Sequence, residues 1–220
     1  MSNHARDQRA RLARLLTAAG PDAPTLCAGW LTRDLTGHLL LREHRPDAAA
    51  GIQLPLLAGW TRRVQDGYAR RPYEALVRQF AAGPPRLSLF ALPGADEAAN
   101  TVEYFVHAED VRRAGDWEPE PLDPELAATL WKRLPLLARF AVGRRTPVRV
   151  VLRSPAGEVL TVGQKDAPTV ELTGQASELL LFAYGRGART RLAVEGAARD
   201  LAALGARLPL PPSADGDQRL

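Results

Sequence analysis

Apolar residues recur at helical spacing over the first two thirds of the chain and alternate only later. In HARDQRARLARLLTAA, residues 4–19, Leu12, Leu15 and Leu16 share one face and Gly20-Pro21 stops the run, which predicts a helix. PDAPTLCAG is a loop. WLTRDLTGHLLLREH then carries the stripe Leu31, Leu35, Leu39 and Leu40. Thr32 is the expected N-cap, and Asp34 falls in the first turn, where the helix dipole favours a carboxylate. Pro46 should interrupt or kink this helix. A third helical region runs from Thr61 to Ala82, divided by Pro72 and ended by Gly83-Pro84-Pro85. LSLFALPGA reads as a connector. A fourth helix spans Asp96–Ala114, with Val102, Phe105, Val106 and Val111 toward a core and Gly115 as C-cap. Pro124 opens a fifth that reaches Arg144.

The texture then changes. TPVRVVLRS, EVLTVGQ and APTVELTG are short strands between turn residues. QASELLLFAYGR is a helix, RLAVEGA a fourth strand, AARDLAALGARL a last helix, and PLPPSADGDQRL a disordered tail. The pattern predicts an α+β protein: a helical bundle over 1–145, a small α+β domain over 146–210, and a tail over 211–220.

Composition narrows the function classes. The 220 residues suffice for a real core without a disulfide or metal staple. One cysteine, Cys27, excludes a disulfide framework and any cysteine-rich zinc module. No apolar run reaches the roughly 20 residues of a membrane span. The polar, Arg-rich start lacks the apolar segment of a secretory signal, so a cytoplasmic protein with no membrane partner is expected. The net charge of +4 is spread over both halves, and acids are interleaved with arginines throughout. That pattern describes a solvated surface, not a nucleic-acid interface.

Candidate chemistry rests on four histidines: His4, His38, His44 and His107. His4 lies near a free end and is expected in solvent. His38 and His44 are about 240° apart around their helix, so they point to different faces. His107 follows Glu103 by four residues, which puts both on one helix face. A carboxylate and an imidazole so placed can grip one metal ion. A histidine from a neighbouring helix completes a His₂Glu set with an open position. His38, mid-helix among leucines, is the best third ligand. Asp34 or Asp110 could hold a ligand imidazole in its tautomer. Cys27 could be a fourth ligand, although a buried small hydrophobe is the simpler reading. Arg42, one turn past His38, could bind a substrate carboxylate or lie on the surface. His44, Arg45 and Asp47 suggest only a local surface cluster, and the four tryptophans packing, with a substrate-wall role open to one of them.

Two segments carry a family resemblance. GWLTRDLTGHLLLREHRPDAAAG resembles the second-helix signature of the DinB-like superfamily, in its mycothiol-dependent maleylpyruvate isomerase branch. NTVEYFVHAEDVRRAGDW resembles that branch's second signature, E-x-x-x-H followed by D-x-R-x-A. The chain is most similar to an actinobacterial family of metal-binding proteins there. VELTGQASELLLFAYGR and RLAVEGAARDL resemble the domain that follows the bundle. The resemblance implies a DinB-like four-helix bundle followed by a sterol-carrier-like α+β domain. It implies a divalent metal, usually zinc, on His38, Glu103 and His107. It also implies a catalytic arginine from the second domain, matched here by Arg186, and a low-molecular-weight thiol such as mycothiol as cosubstrate. The implied activity is thiol addition to a small electrophile, as an S-transferase or isomerase, by a monomer or homodimer. REHRPDAAAG departs from the isomerase pattern and leaves the substrate open. A non-catalytic metal-containing binding module, a metal-assisted hydrolase and a lipid carrier are alternatives; Cys27 as a fourth ligand would favour a closed, structural site.

Overall fold

The computed structural model describes residues 4–52, 54–85, 95–142 and 146–212. The junction near 143–145, most of the LSLFALPGA connector and the tail beyond 212 lie outside the described residues. The chain forms two compact units, Met1–Trp117 and Glu118–Leu220.

The first unit is helical. Helices α1 (His4–Ala19), α2 (Thr32–His44), α4 (Ala58–Ala69), α5 (Tyr73–Ala82) and α6 (Ala95–Arg112) supply its layers, and α3 (Pro46–Ala49) is a single turn. Pro46 starts that turn with its ring at a position needing no N–H, so the α2 helix stops at His44. Pro72 separates α4 from α5 in the same way. The α1 helix packs on α5 and α6, and α2 on α4 and α5. The leucine stripes meet in one cluster: Leu12, Leu16, Leu35, Leu39, Leu40, Leu76 and Phe80 are all fully buried. Each such side chain contributes roughly 1.5–3 kcal/mol.

The start of α2 differs from the expected capping. Leu31, not Thr32, is the N-cap residue. Thr32 is buried and donates its hydroxyl to the Gly20 carbonyl. Asp34 accepts from the Leu31 N–H at 3.0 Å, so its carboxylate caps the helix. His4 also departs from expectation, being buried at the start of α1.

A polar cluster crosses this apolar interior. Arg9 donates to Glu43 at 2.7 Å, to Tyr104 Oη at 2.6 Å and to the Phe80 carbonyl at 3.2 Å. Tyr104 donates to the other Glu43 oxygen at 2.7 Å. The guanidinium also lies over the Tyr104 ring at 4.7 Å. Four helices are thereby tied by one buried charge pair.

The second unit begins with α7 (Pro124–Ala141), capped by Asp123, whose side chain accepts from Glu125 and Leu126 N–H. The α7 helix packs along α8 (Ala176–Ala183), so it belongs with the α+β part. This places the division after Trp117, whereas the change of sequence texture put it near 145. Strands β1 (Arg149–Arg153), β2 (Val159–Val162), β3 (Thr169–Thr173) and β4 (Ala193–Glu195) form a sheet of order β2-β1-β3-β4. The central β1–β3 pair is parallel and both outer pairs are antiparallel. Register brings Val150, Leu152, Val162, Val170 and Leu172 onto one face, all buried. Helix α8 is buried all round, as its AxxLLLFA composition demands. A short helix, α9 (Ala198–Gly205), ends the unit. Among the described residues no helix is long and apolar enough to cross a membrane.

Candidate metal centre

The α2 and α6 helices bring His38, Glu103 and His107 together. One ligand atom from each lies within 4.8 Å of the others. Glu103 Oε1 is 3.0 Å from His107 Nε2 and 3.6 Å from His38 Nε2. The two imidazole rings meet edge to face at 5.5 Å. The i,i+4 spacing sets the Glu103–His107 pair, and the α2 leucine stripe turns His38 toward it.

Asp110 sits on the other side of the His107 ring. Its Oδ2 is 2.9 Å from Nδ1 and the residue is fully buried. Asp110, not Asp34, therefore fixes the His107 tautomer when Nε2 is a ligand. Asp34 stays with the α2 cap.

The loop before α2 is tied to both ligand helices. Leu26 N–H donates to the Asp110 carbonyl at 3.0 Å. The half-buried Cys27 thiol donates to Asp110 Oδ2 at 3.2 Å and lies 3.9 Å from His107 Nδ1. Trp30 lies against the His38 ring at 5.1 Å. Cys27 is thus no inert hydrophobe. It groups with Asp110 and His107, and is not a fourth member of the His38 set.

Arg42 completes the polar surroundings. Its Nη1 is 3.2 Å from Glu103 Oε1 and 3.4 Å from Asn100 Oδ1. It is partly buried beside Glu103 and does not lie on the open surface. Asn100, buried one turn before Glu103, was not singled out in the sequence. Arg186 belongs to the second unit, in the turn after α8, where its guanidinium donates to the Tyr184 carbonyl at 2.7 Å. His44 lies off the site, half-buried, with Nδ1 lacking a hydrogen-bond partner. The expected surface cluster forms from Arg45 and Asp47 with Trp60, which is 40% exposed and not a core residue.

Charges follow from these contacts. Burial alone would discharge His107, but Asp110, Cys27 and Glu103 outweigh it and hold the ring protonated well above the usual range. Burial opposes charge on Glu103 too, yet His107, His38 and Arg42 keep it ionised far below the usual carboxylate range. Burial dominates at His38 and lowers its pKa. These contacts favour a neutral His38, a protonated His107 and an ionised Glu103. A divalent cation fits this donor set: it would replace the proton on His107 Nε2, beside a lone pair on His38 and an ionised Glu103.

No family model matches the chain, and no curated protein matches it in sequence. Among solved structures it is similar to the mycothiol-dependent maleylpyruvate isomerase, with a TM-score of 0.58, 16% identity, 95% of this chain and 93% of that chain covered. A histidine-to-alanine mutant of that isomerase is similar over the same shares, with a TM-score of 0.50 and 17% identity. At this identity the likeness concerns the fold: helices with a four-stranded sheet over nearly the whole chain.

Proposed function

We propose that the protein is a metal-dependent enzyme that activates a low-molecular-weight thiol, such as mycothiol, for addition to a small electrophile, as an S-transferase or an isomerase. The observation that carries this reading is the convergence of His38, Glu103 and His107 on one point. Support also comes from the fold likeness to an isomerase whose name includes mycothiol. In this reading the helical unit is a DinB-like bundle and the second unit a sterol-carrier-like domain.

His38, Glu103 and His107 would hold the ion, zinc by preference for two imidazoles and one carboxylate. When bound, the ion would supply Lewis acidity that lowers the pKa of a thiol. The chain's own residues set the conditions. Asp110 accepts the Nδ1 proton of His107 and keeps the ring oriented. Trp30 gives an apolar wall beside His38. Arg42, held by Asn100, offers a guanidinium to a carboxylate of the electrophile. Cys27 groups apart from the His38 set, which supports an open position over a closed structural site.

The test is thiol consumption. The zinc-loaded protein, mixed with mycothiol and a panel of small electrophiles, is expected to speed loss of free thiol for at least one carboxylate-bearing electrophile. Arg42→Met should raise KM for it more than it lowers kcat. Thiol loss no faster than without protein, across the panel, would count against catalysis and leave the binding-module reading.

A further inference from the structure

The geometry points to a second cation position on the opposite edge of His107, formed by Cys27 Sγ, Asp110 Oδ2 and His107 Nδ1 and suited to a thiophilic ion such as Cd²⁺. The three donors come from the loop before α2 and from α6, and each differs in chemistry. Their separations are 3.2 Å for S to O, 3.9 Å for S to N and 2.9 Å for N to O. A tetrahedral zinc-sized ion at ordinary ligand distances would need about 3.6, 3.6 and 3.4 Å. Each pair is within about 0.5 Å of that, a shift that side-chain rotation supplies. Thiolate is the donor that selects soft ions, and no other cysteine exists in the chain to compete for one.

His107 is built for either edge. Glu103 lies 3.0 Å from Nε2 and Asp110 lies 2.9 Å from Nδ1. When Nε2 is the ligand, Asp110 accepts the proton on Nδ1. When Nδ1 is the ligand, Glu103 accepts the proton on Nε2. Each carboxylate is a ligand in one arrangement and the tautomer-setting partner in the other. A neutral imidazole has one lone pair, so the two positions exclude each other. Loading the second one sends the Cys27 thiol proton and the proton on His107 Nδ1 to solvent and takes Asp110 from its tautomer-holding role. A soft ion seated there would thus empty the first position without touching His38.

Cadmium titration of the full chain, followed by ultraviolet thiolate-to-metal absorption, tests this. The wild type is expected to develop the band at one equivalent. Cys27→Ser, which keeps a donor to Asp110 but no thiol, should lack it. His38→Ala should keep the band, which separates this position from the His38 set of the proposed function, and adding Cys27→Ser to His38→Ala should weaken cadmium binding at least ten-fold. The inference is overturned if the wild type shows no band, or if the Cys27→Ser, His38→Ala double variant binds cadmium as tightly as His38→Ala. A band that vanishes in His38→Ala would also overturn it, because Cys27 would then serve the first position.

Discussion

Glu43→Leu is expected to destabilise the helical unit by about 3–5 kcal/mol, enough to unfold a marginal domain. Glu43 and Arg9 are only 2% and 5% exposed, and the carboxylate lies 2.7 Å from the Arg9 guanidinium. Removing it deprives a buried guanidinium of that carboxylate and the Tyr104 hydroxyl of that acceptor. The size of the loss does not measure the worth of the pair. Arg9→Met, Glu43→Leu and Tyr104→Phe together remove every stranded group, and that triple variant should recover most of the loss. Urea unfolding of the single and triple variants checks this. Equal destabilisation of both would mean that packing, not the uncompensated charge, sets the cost. The result matters for the site, because Glu43 adjoins Arg42 and Tyr104 adjoins Glu103. The Tyr104–Glu43 hydrogen bond ties α2 to α6, the two helices that carry the ligands.

Acidification should weaken the protein through Glu109. Its carboxylate meets Arg112 at 2.6 Å, Arg11 at 2.7 Å and Arg113 at 2.5 Å, and Arg113 itself lies over Trp117 at 4.0 Å. Burial opposes its charge, but the three arginines prevail and hold it at about 2, against an ordinary 4.5. A carboxyl lowered on folding stabilises above its unfolded value and loses that contribution as pH falls through its folded one. The full contribution is about 3 kcal/mol, and about 2 kcal/mol of it should be gone by pH 3. Unfolding free energies at pH 6 and pH 3 measure the drop. Arg11→Met, which removes the most exposed partner, should flatten it; an unchanged drop would contradict the assignment.

Much of this site was legible in the residues. Glu103 and His107 follow from four-residue spacing on a helix, and His38 from its place in the α2 stripe. Asp110 was legible as one of two candidate tautomer partners. The choice between it and Asp34 turned on the α2 cap, where Asp34 serves Leu31 instead. That depends on the loop's path, which no periodicity encodes. The Arg9–Glu43–Tyr104 cluster was missed because an arginine-rich helix looks solvated. The signal was present: Arg9 shares the stripe of Ala5, Leu12, Ala13 and Leu16, all buried. Charged type was weighted over position. The compact units divide after Trp117, and not at the change of texture near 145, for a similar reason. The α7 helix has the texture of the first unit but packs on α8, a contact distant in sequence.

The most direct test of the metal centre is zinc titration on the Cys27→Ala background, where, of the two candidate positions among the described residues, the His38, Glu103 and His107 one remains. One equivalent should bind, and adding His38→Ala should abolish it while the helical circular dichroism stays unchanged. No zinc bound by Cys27→Ala, or binding indifferent to His38→Ala, would contradict the account.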